Sequence, residues 1–177
     1  MVGGTQQPRR NIAVVGLWHL GEVYSAGLAE LGHRVVGISA DETVVGNLSR
    51  DIPPLAEPGL VELLQKHQAS RRLTYTTDFS RIKDCEVLWF TFDTPVDDQD
   101  EVDLLLIYQT LEIVLPFLRD DMLVVMTSQT PVGTAGEIQQ IIRQSRPDIS
   151  VDYVYVPENL RLGEAMSELG RIALDGD

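Results

Sequence analysis

The sequence predicts a single α/β domain in which helices cover both faces of a doubly wound, mostly parallel β-sheet. Three observations predict this class: short apolar runs, stretches of helical period between them, and a length of 177 residues of which 44% are hydrophobic. The apolar runs are rich in Val, Ile, Leu and Phe and do not alternate with polar residues, which is typical of strands covered on both faces. The length and the apolar content suffice for one domain with a hydrophobic core.

Six apolar runs are the predicted strands, and the longer segments between them are the predicted helices. The strands are expected at residues 12–15, 35–38, 73–76, 87–92, 123–126 and 151–156. A helix follows the first strand, because apolar residues recur at three- and four-residue steps from Leu20 to Leu31 and a glycine comes next. Three prolines and a glycine within residues 51–59 predict a loop, which leads into a helix at residues 60–68.

Two further helices are predicted in the second half of the chain. The first follows from an apolar stripe at helical spacing, formed by Leu104, Ile107, Leu111, Val114 and Leu118. The second is expected to open at Thr134, because Thr134 and Glu137 have the spacing of a capping box. In such a box the threonine side chain caps the first turn, and the glutamate reaches back to the threonine N–H.

The charge balance excludes two classes of partner. The chain has 14 Lys and Arg residues against 27 Asp and Glu residues, which gives a formal net charge of −13. A surface this acidic repels phosphate backbones and anionic lipids, so neither nucleic acid nor a membrane is expected as a partner. No apolar run approaches the ~20 residues of a membrane-spanning helix, and the polar N-terminus lacks the apolar stretch of a signal peptide. We therefore expect a cytoplasmic protein.

No metal site is predicted. The single cysteine, Cys85, excludes an internal disulfide and a multi-cysteine metal site. Its neighbours Asp84 and Glu86 are acids that would raise the pKa of the thiol, so Cys85 is not expected to be a nucleophile. His19 and His33 lack the spacing of a metal-binding pair and are interpreted as turn residues.

The turn after the first predicted strand has the context of a dinucleotide-binding site, because this turn is the usual phosphate site of parallel α/β sheets. It reads Gly-Leu-Trp-His-Leu-Gly, so Trp18 stands where the G-x-G-x-x-G fingerprint has its middle glycine. Gly16 can still form the tight turn, and Gly21 can still let the helix pack closely on the sheet. The free N–H groups of the helix remain available to an anion. Trp18 either stacks on a ring of the cofactor or fills an otherwise empty pocket, and the second role is favoured.

The acid that binds the adenosine ribose in this fingerprint is absent from its expected position at the end of the second strand. Ser39 stands there, and Asp41 follows two residues later. Serine cannot bind both ribose hydroxyls as a carboxylate does, but it tolerates a 2′-phosphate, so NADP is open as well as NAD. From spacing alone, a Rossmann-like dinucleotide domain and an α/β turn without a cofactor are equally open.

Six separated motifs keep the order and spacing of a known family. They are Gly16–Gly21, residues 31–37, Glu-Pro-Gly-Leu at 57–60, Thr-Pro at 94–95 with Val-Asp-Leu at 102–104, and residues 128–134 and 157–163. From about residue 11 to about residue 165, the chain resembles the N-terminal NAD-binding domain of the UDP-glucose/GDP-mannose dehydrogenase family. The resemblance implies a flexible tail at 1–10, a Rossmann-like domain at 11–157, and a segment at 158–177 that leads toward a substrate domain missing from the chain.

Members of this family are nucleotide-sugar 6-dehydrogenases. The resemblance therefore implies two successive NAD-dependent oxidations that turn the C6 alcohol of a UDP- or GDP-sugar into a carboxylate, through a cysteine-bound intermediate. The residues implied for the cofactor are Gly16, Leu17, Trp18, Gly21, Ser39, Thr94, Pro95 and Ser128. Catalytic roles are implied for Gln129 and for Glu158, a carboxylate that can orient a water or relay protons. Leu160 and Arg161 match the segment that lines the sugar-nucleotide site.

Departures from the family pattern leave a rival function open. Cofactor or catalytic positions of the family are changed at Trp18, Ser39, Asp93 and Gln129. The family's nucleophilic cysteine, catalytic lysine and dimer-forming helix would lie beyond residue 177, so the chain is not expected to turn over alone. The resemblance also leaves a homodimer open. The rival is a catalytically inactive α/β module with a degenerate cofactor site, which acts through a partner or by binding a nucleotide sugar.

Overall fold

The fold is a six-stranded sheet, seen in a computed structural model that describes residues 8–92, 104–128, 130–156, 160 and 163–165. The strands are β1 (Asn11–Val15), β2 (Arg34–Ile38), β3 (Leu73–Thr76), β4 (Val87–Phe90), β5 (Met122–Met126) and β6 (Val151–Tyr155). They lie in the order β3-β2-β1-β4-β5-β6, and all neighbouring pairs are parallel. The predicted fold class and the six predicted strands are confirmed, although β4 ends two residues earlier than expected.

Helices connect the strands on both faces of the sheet. The α-helices are α1 (His19–Glu30), α2 (Glu42–Leu48), α3 (Leu60–Ala69), α4 (Leu105–Val114) and α5 (Thr134–Ser145), with 3₁₀ helices at Phe79–Asp84 and Leu115–Phe117. The short helix α2 was not predicted; it begins because the Asp41 carboxylate accepts hydrogen bonds from the N–H groups of Thr43 (2.7 Å) and Val44 (3.2 Å). Among the described residues, no helix is long and apolar enough to cross a membrane.

Two hydrophobic cores lie on opposite faces of the sheet, because successive side chains of a strand point to opposite faces. In β1, Ile12 and Val14 pack with residues of α1 and α3, whereas Ala13 and Val15 pack with residues of α4 and α5. Helix α1 is buried along nearly its whole length. The predicted inward stripe of α1 is wrong at its last position, since Leu31 follows the helix and is 55% exposed. The buried helix fixes the position of its own N-terminus against the sheet.

The capping box predicted at α5 does not form. Gly133 is the residue before the helix, in a left-handed conformation with φ of +106°, and Thr134 is already its first residue. The Thr134 N–H donates to the carbonyl oxygen of Pro131 (3.2 Å), and the Glu137 carboxylate accepts a hydrogen bond from the Tyr108 hydroxyl (2.7 Å). Both groups that a capping box would pair are therefore engaged elsewhere.

Candidate functional site

The carboxyl ends of β1 and β4 form the crevice where a ligand is expected. From the central strand β1, the strands β2 and β3 follow on one side of the sheet. The strands β4, β5 and β6 follow on the other side, so the strand order reverses between β1 and β4. Such a reversal is the topological switch point at which open α/β sheets bind ligands. Helix α1 begins four residues after β1 ends, so its N-terminus lies at this crevice.

Two glycines hold the β1–α1 turn close to β4. Gly16 has φ of +94°, and a Cβ there would lie 2.9 Å from the backbone carbonyl carbon of Thr91. A Cβ at Gly21 would overlap the carbonyl oxygen of Gly16. The structural roles predicted for these glycines, a tight turn and close packing of the helix, are confirmed.

Thr91, directly after β4, fastens the turn and was missed by sequence reasoning. Its buried hydroxyl lies within hydrogen-bond distance of the carbonyl oxygens of Val15 (2.9 Å) and Gly16 (3.0 Å). The Thr91 N–H donates to the Val15 carbonyl oxygen as well (2.9 Å). A polar residue at the end of an apolar strand was the available signal, but its partners lie 75 and 76 residues away along the chain.

The N-terminus of α1 has no side-chain cap. Trp18 is the residue before the helix, and its N–H donates to the Gly16 carbonyl oxygen (2.9 Å). Its φ of −117° suits any residue, so the backbone itself does not require glycine at position 18. The Trp18 side chain is 48% exposed, and the favoured prediction that it fills a pocket is wrong. The first-turn N–H groups of α1 are left to an anion.

A buried acid in the first turn of α1 does not cancel the positive end of the helix dipole. Burial raises the pKa of Glu22 to about 9, so the side chain is neutral at pH 7. Neither of its carboxyl oxygens has a hydrogen-bond partner within the described part of the chain. The nearby Tyr75 hydroxyl is also buried without a partner there, and its pKa is raised by burial and by Glu22. A neutral Glu22 keeps the crevice favourable for negative charge.

His19 and Glu57 form a buried contact next to this turn. The His19 Nε2 lies 3.1 Å from the Glu57 Oε2, and both side chains are nearly inaccessible to solvent. The same carboxylate oxygen accepts a hydrogen bond from the Gly163 N–H (2.7 Å). The interpretation of His19 as a turn residue is wrong, because His19 is the first residue of α1 and is buried. Glu57 thus ties the start of α1 to the segment that follows β6.

The sequence matches a family over nearly its whole length. Residues 10–173 match the UDP-glucose/GDP-mannose dehydrogenase family, NAD binding domain. The chain belongs to this family. It is 32% identical over 161 residues to the UDP-glucose 6-dehydrogenase TuaD of Bacillus subtilis, covering 90% of this chain and 35% of that protein. It is 33% identical over 172 residues to the UDP-glucose 6-dehydrogenase of Rhizobium meliloti, covering 93% of this chain and 39% of that protein.

Solved structures of dehydrogenases share the fold. A GDP-mannose dehydrogenase from Pseudomonas aeruginosa superposes with a TM-score of 0.83 at 27% identity, over 89% of this chain and 38% of the other. A UDP-glucose dehydrogenase from Pyrobaculum islandicum gives a TM-score of 0.84 at 26% identity, over 95% of this chain and 40% of the other. The chain therefore spans 40% or less of the length of each of these four proteins.

In this NAD-binding domain of the family, Ser39 directly follows β2 at the same edge of the sheet as Gly16. The Ser39 N–H donates to the Thr76 carbonyl oxygen (3.3 Å), and its hydroxyl oxygen accepts from the Asp41 N–H (3.1 Å). The hydroxyl proton of Ser39 is still available to a ligand. The Asp41 carboxylate caps α2 and brings a negative charge next to Ser39.

Ser128 can offer its side chain to a ligand, whereas Leu17 can offer only its backbone. Ser128 follows β5, and its buried hydroxyl has no hydrogen-bond partner among the residues that the structure describes. An unmet buried hydroxyl costs about 1–3 kcal/mol, so a polar group that enters this place gains by pairing with it. The Leu17 side chain belongs to the core and packs near Gly37 of β2, so only the Leu17 backbone can face a ligand.

The remaining predicted site residues are distributed as follows. Leu160 is half-buried and packs against the core on the α1 face. Thr94, Pro95, Gln129, Glu158 and Arg161 lie outside the described residues, as does Asp93. Within the described ranges, no group of three or more His, Cys, Asp or Glu side chains could hold a metal ion. Burial and then the charge of Asp84 raise the pKa of the Cys85 thiol to about 11, which agrees with its predicted lack of reactivity.

Proposed function

We propose that the chain binds NAD at the β1–α1 turn and serves as the cofactor domain of a dehydrogenase that oxidises the sugar C6 alcohol of a UDP- or GDP-sugar to a carboxylate. One observation supports it most: the turn is held against β4 by Gly16, Gly21 and Thr91, and it ends in an uncapped helix. In a member of this family, that arrangement is suited to a pyrophosphate, since backbone N–H groups and the helix dipole both favour a diphosphate at this position.

The described residues fit a dinucleotide in three respects. The first-turn N–H groups of α1 are without a side-chain cap, and the neutral Glu22 adds no opposing charge. The buried Ser128 hydroxyl offers a hydrogen bond at the end of β5. Trp18 and Ser39 are the departures among the described residues, and the exposed indole of Trp18, with its ordinary φ, leaves the turn backbone in the shape that the two glycines impose.

NAD is proposed rather than NADP. The Asp41 carboxylate stands beside Ser39 and would repel a 2′-phosphate on the ribose. The nearest arginine on β2 is Arg34, which is its first residue and therefore lies at the opposite edge of the sheet. The Ser39 hydroxyl would donate to one ribose hydroxyl, which gives a weaker contact than a carboxylate that accepts from two.

The chemistry itself is proposed for the domain together with the rest of the family architecture. NAD supplies the hydride acceptor for the oxidation of an alcohol. In this proposal Glu158 orients water or relays protons, Gln129 hydrogen-bonds near the reacting centre, and Leu160 and Arg161 contact the nucleotide sugar. The substrate domain would contribute the nucleophilic cysteine and the lysine of the family, and a homodimer would form through it.

Energy transfer from Trp18 tests the proposal directly. The chain has two tryptophans, so Trp18→Phe isolates the contribution of the one beside the turn. We expect titration with NADH to quench tryptophan emission and sensitise nicotinamide emission in a saturable way, with reversal by NAD. NADPH should bind more weakly. The Trp18→Phe variant should bind NADH with less transfer.

The same titration decides between the two functions. Absence of transfer from wild-type protein, together with no NADH binding by calorimetry at millimolar cofactor, would contradict the proposal and favour the inactive module. In that case a titration with UDP-glucose and with GDP-mannose would show whether the module binds a nucleotide sugar instead.

A further inference from the structure

We propose that the chain binds a small polyphosphate anion in a second site, an arginine-lined cleft at the amino ends of β1, β2 and β3. The cleft has a volume of about 600 Å³, and its lining includes Arg9, Arg34, Arg71, Arg72 and Arg81. Arg34 is the first residue of β2, and Arg72 directly precedes β3. The direction of the parallel strands therefore places this arginine cleft at the edge of the sheet away from the β1–α1 turn.

The arginine cleft is positively charged, although the chain as a whole is strongly negative. Among the described residues, five arginines of the 14 basic residues of the chain line it together with one acid, Asp84, which is a formal surplus of four positive charges in this part of the lining. The whole chain carries a net charge of −13. A concave site of one sign concentrates field lines and raises the local concentration of oppositely charged ligands. Small anions are thus drawn to this part of an otherwise acidic surface.

Most of the guanidinium groups in the cleft have no partner among the residues that the structure describes. Within the described part of the chain, the side chains of Arg9, Arg34, Arg71 and Arg72 make no ion pair or hydrogen bond, and only Arg81 pairs with Asp84 (3.4 Å). By contrast, Arg119 donates to the Cys85 carbonyl oxygen (2.9 Å) and Arg146 pairs with Asp148 (2.8 Å). The donors in the cleft are available to the oxygens of a ligand.

Neighbouring strands bring two of these arginines together. Val35 N–H donates to the Arg72 carbonyl oxygen (2.7 Å), so Arg34 and Arg72 enter adjacent strands side by side. Adjacent strands are about 4.8 Å apart, and like charges at facing positions repel each other. A multivalent anion between the two guanidinium groups replaces this repulsion with attraction.

Arg71 stands where glycine would be the more stable residue. It follows α3 with a φ of +56°, a left-handed conformation that glycine or asparagine usually adopts at the end of a helix. Arginine at this position costs backbone strain and adds a fifth positive charge to the cleft. The strain is local to the cleft, because Arg71 and Arg72 together form the turn into β3.

Size and chemistry identify the class of ligand. The volume is in the range of sites for small molecules, and the lining residues that the structure describes include no aromatic side chain on which a base could stack. Guanidinium forks bind phosphate oxygens in pairs, and the Thr74 hydroxyl adds a polar group to the lining. A compact group with several phosphates fits these features. An extended nucleic-acid backbone would run from the cleft onto the acidic surface.

Calorimetric titration with sodium tripolyphosphate at low salt tests the arginine cleft. We expect saturable binding, weakened at least about tenfold by Arg34→Gln or by Arg72→Gln, since each removes a charge-assisted hydrogen bond. Arg143→Gln removes the same charge from an exposed position on α5 and serves as the matched control, with an affinity near that of wild type. Far-UV circular dichroism of each variant verifies the fold.

Arg71→Gly adds a variant that is expected to fold more stably than wild type. Glycine adopts the left-handed backbone conformation without strain, and the substitution removes one positive charge that repels the other arginines. The melting temperature should therefore rise, while the affinity for tripolyphosphate falls. Absence of saturable binding at millimolar tripolyphosphate would overturn the proposal, as would equal affinities for wild type and all four variants. Binding of duplex DNA as tightly as tripolyphosphate would instead assign the cleft to nucleic acid.

Discussion

Replacing the buried acid of α1 should remove a specific part of the pH dependence of stability. In the folded chain burial raises the pKa of Glu22 to about 9, whereas the ordinary value is 4.5. Between these values the folded state keeps a proton that the unfolded state has lost. The free energy of unfolding therefore falls as pH rises, by about 1.4 kcal/mol for each pH unit. Glu22→Gln carries no titratable proton and should lose this slope.

The interval from pH 7 to pH 8 isolates Glu22 from other titrating groups. Burial lowers the pKa of His33, so its contribution changes mainly at and below its ordinary value of 6.5. Burial raises the pKa of Cys85 from 9.0 to about 11, so the stability that Cys85 contributes is lost mainly above pH 9. Wild type should therefore lose about 1.4 kcal/mol over this interval that Glu22→Gln retains.

Urea unfolding followed by far-UV circular dichroism at pH 7 and at pH 8 measures the difference. Glu62→Gln is the matched control, because Glu62 is an exposed acid in the first turn of α3. It should keep the slope of wild type. Equal losses of stability in wild type, Glu22→Gln and Glu62→Gln would refute the reasoning, since they would show that Glu22 is already ionised in the folded protein at pH 7.

Three further predictions concern the candidate cofactor site. Gly21→Ala places a Cβ against the Gly16 carbonyl oxygen and should lower the free energy of unfolding by about 1–3 kcal/mol, measured by urea unfolding. Thr91→Val keeps the shape of the side chain but removes the hydroxyl that fastens the turn, and it should cost about 1–2 kcal/mol in the same assay and weaken NADH binding. If Thr91→Val leaves the NADH affinity unchanged, the conformation of the β1–α1 turn does not determine cofactor binding. Ser39→Asp should raise the preference for NADH over NADPH in paired titrations, and an unaltered ratio would show that residue 39 does not contact the ribose.

Much of the fold could be predicted because it depends on local patterns. The parallel strands carry continuous apolar runs, and the glycines at positions 16 and 21 flank a turn whose context is visible in the sequence. The capping box at Thr134 failed for a local reason as well. The left-handed Gly133 already turns the chain into α5, so the spacing of Thr134 and Glu137 was coincidental.

The candidate site was less predictable, because its contacts join residues that are distant along the chain. Glu57 meets His19 across 38 residues, and Thr91 meets the Gly16 carbonyl oxygen across 75. No spacing rule indicates such pairs. The burial of Glu22 was hidden for a different reason: a glutamate in the first turn of a helix is normally interpreted as an exposed partner of the helix dipole. Only the packing of α1 on the sheet shows that this acid is inaccessible to solvent.

The hydrogen bond between the Thr91 hydroxyl and the Gly16 carbonyl oxygen also affects the order of events during folding. Closing a chain of 75 residues costs about 4 kcal/mol in loop entropy alone, so the turn cannot be held before β4 has docked beside β1. During synthesis, the first 90 residues can form β1, α1 and β2 before the β1–α1 turn is fastened. The crevice is completed only when Thr91 has left the ribosome, so the turn takes its final form late in synthesis.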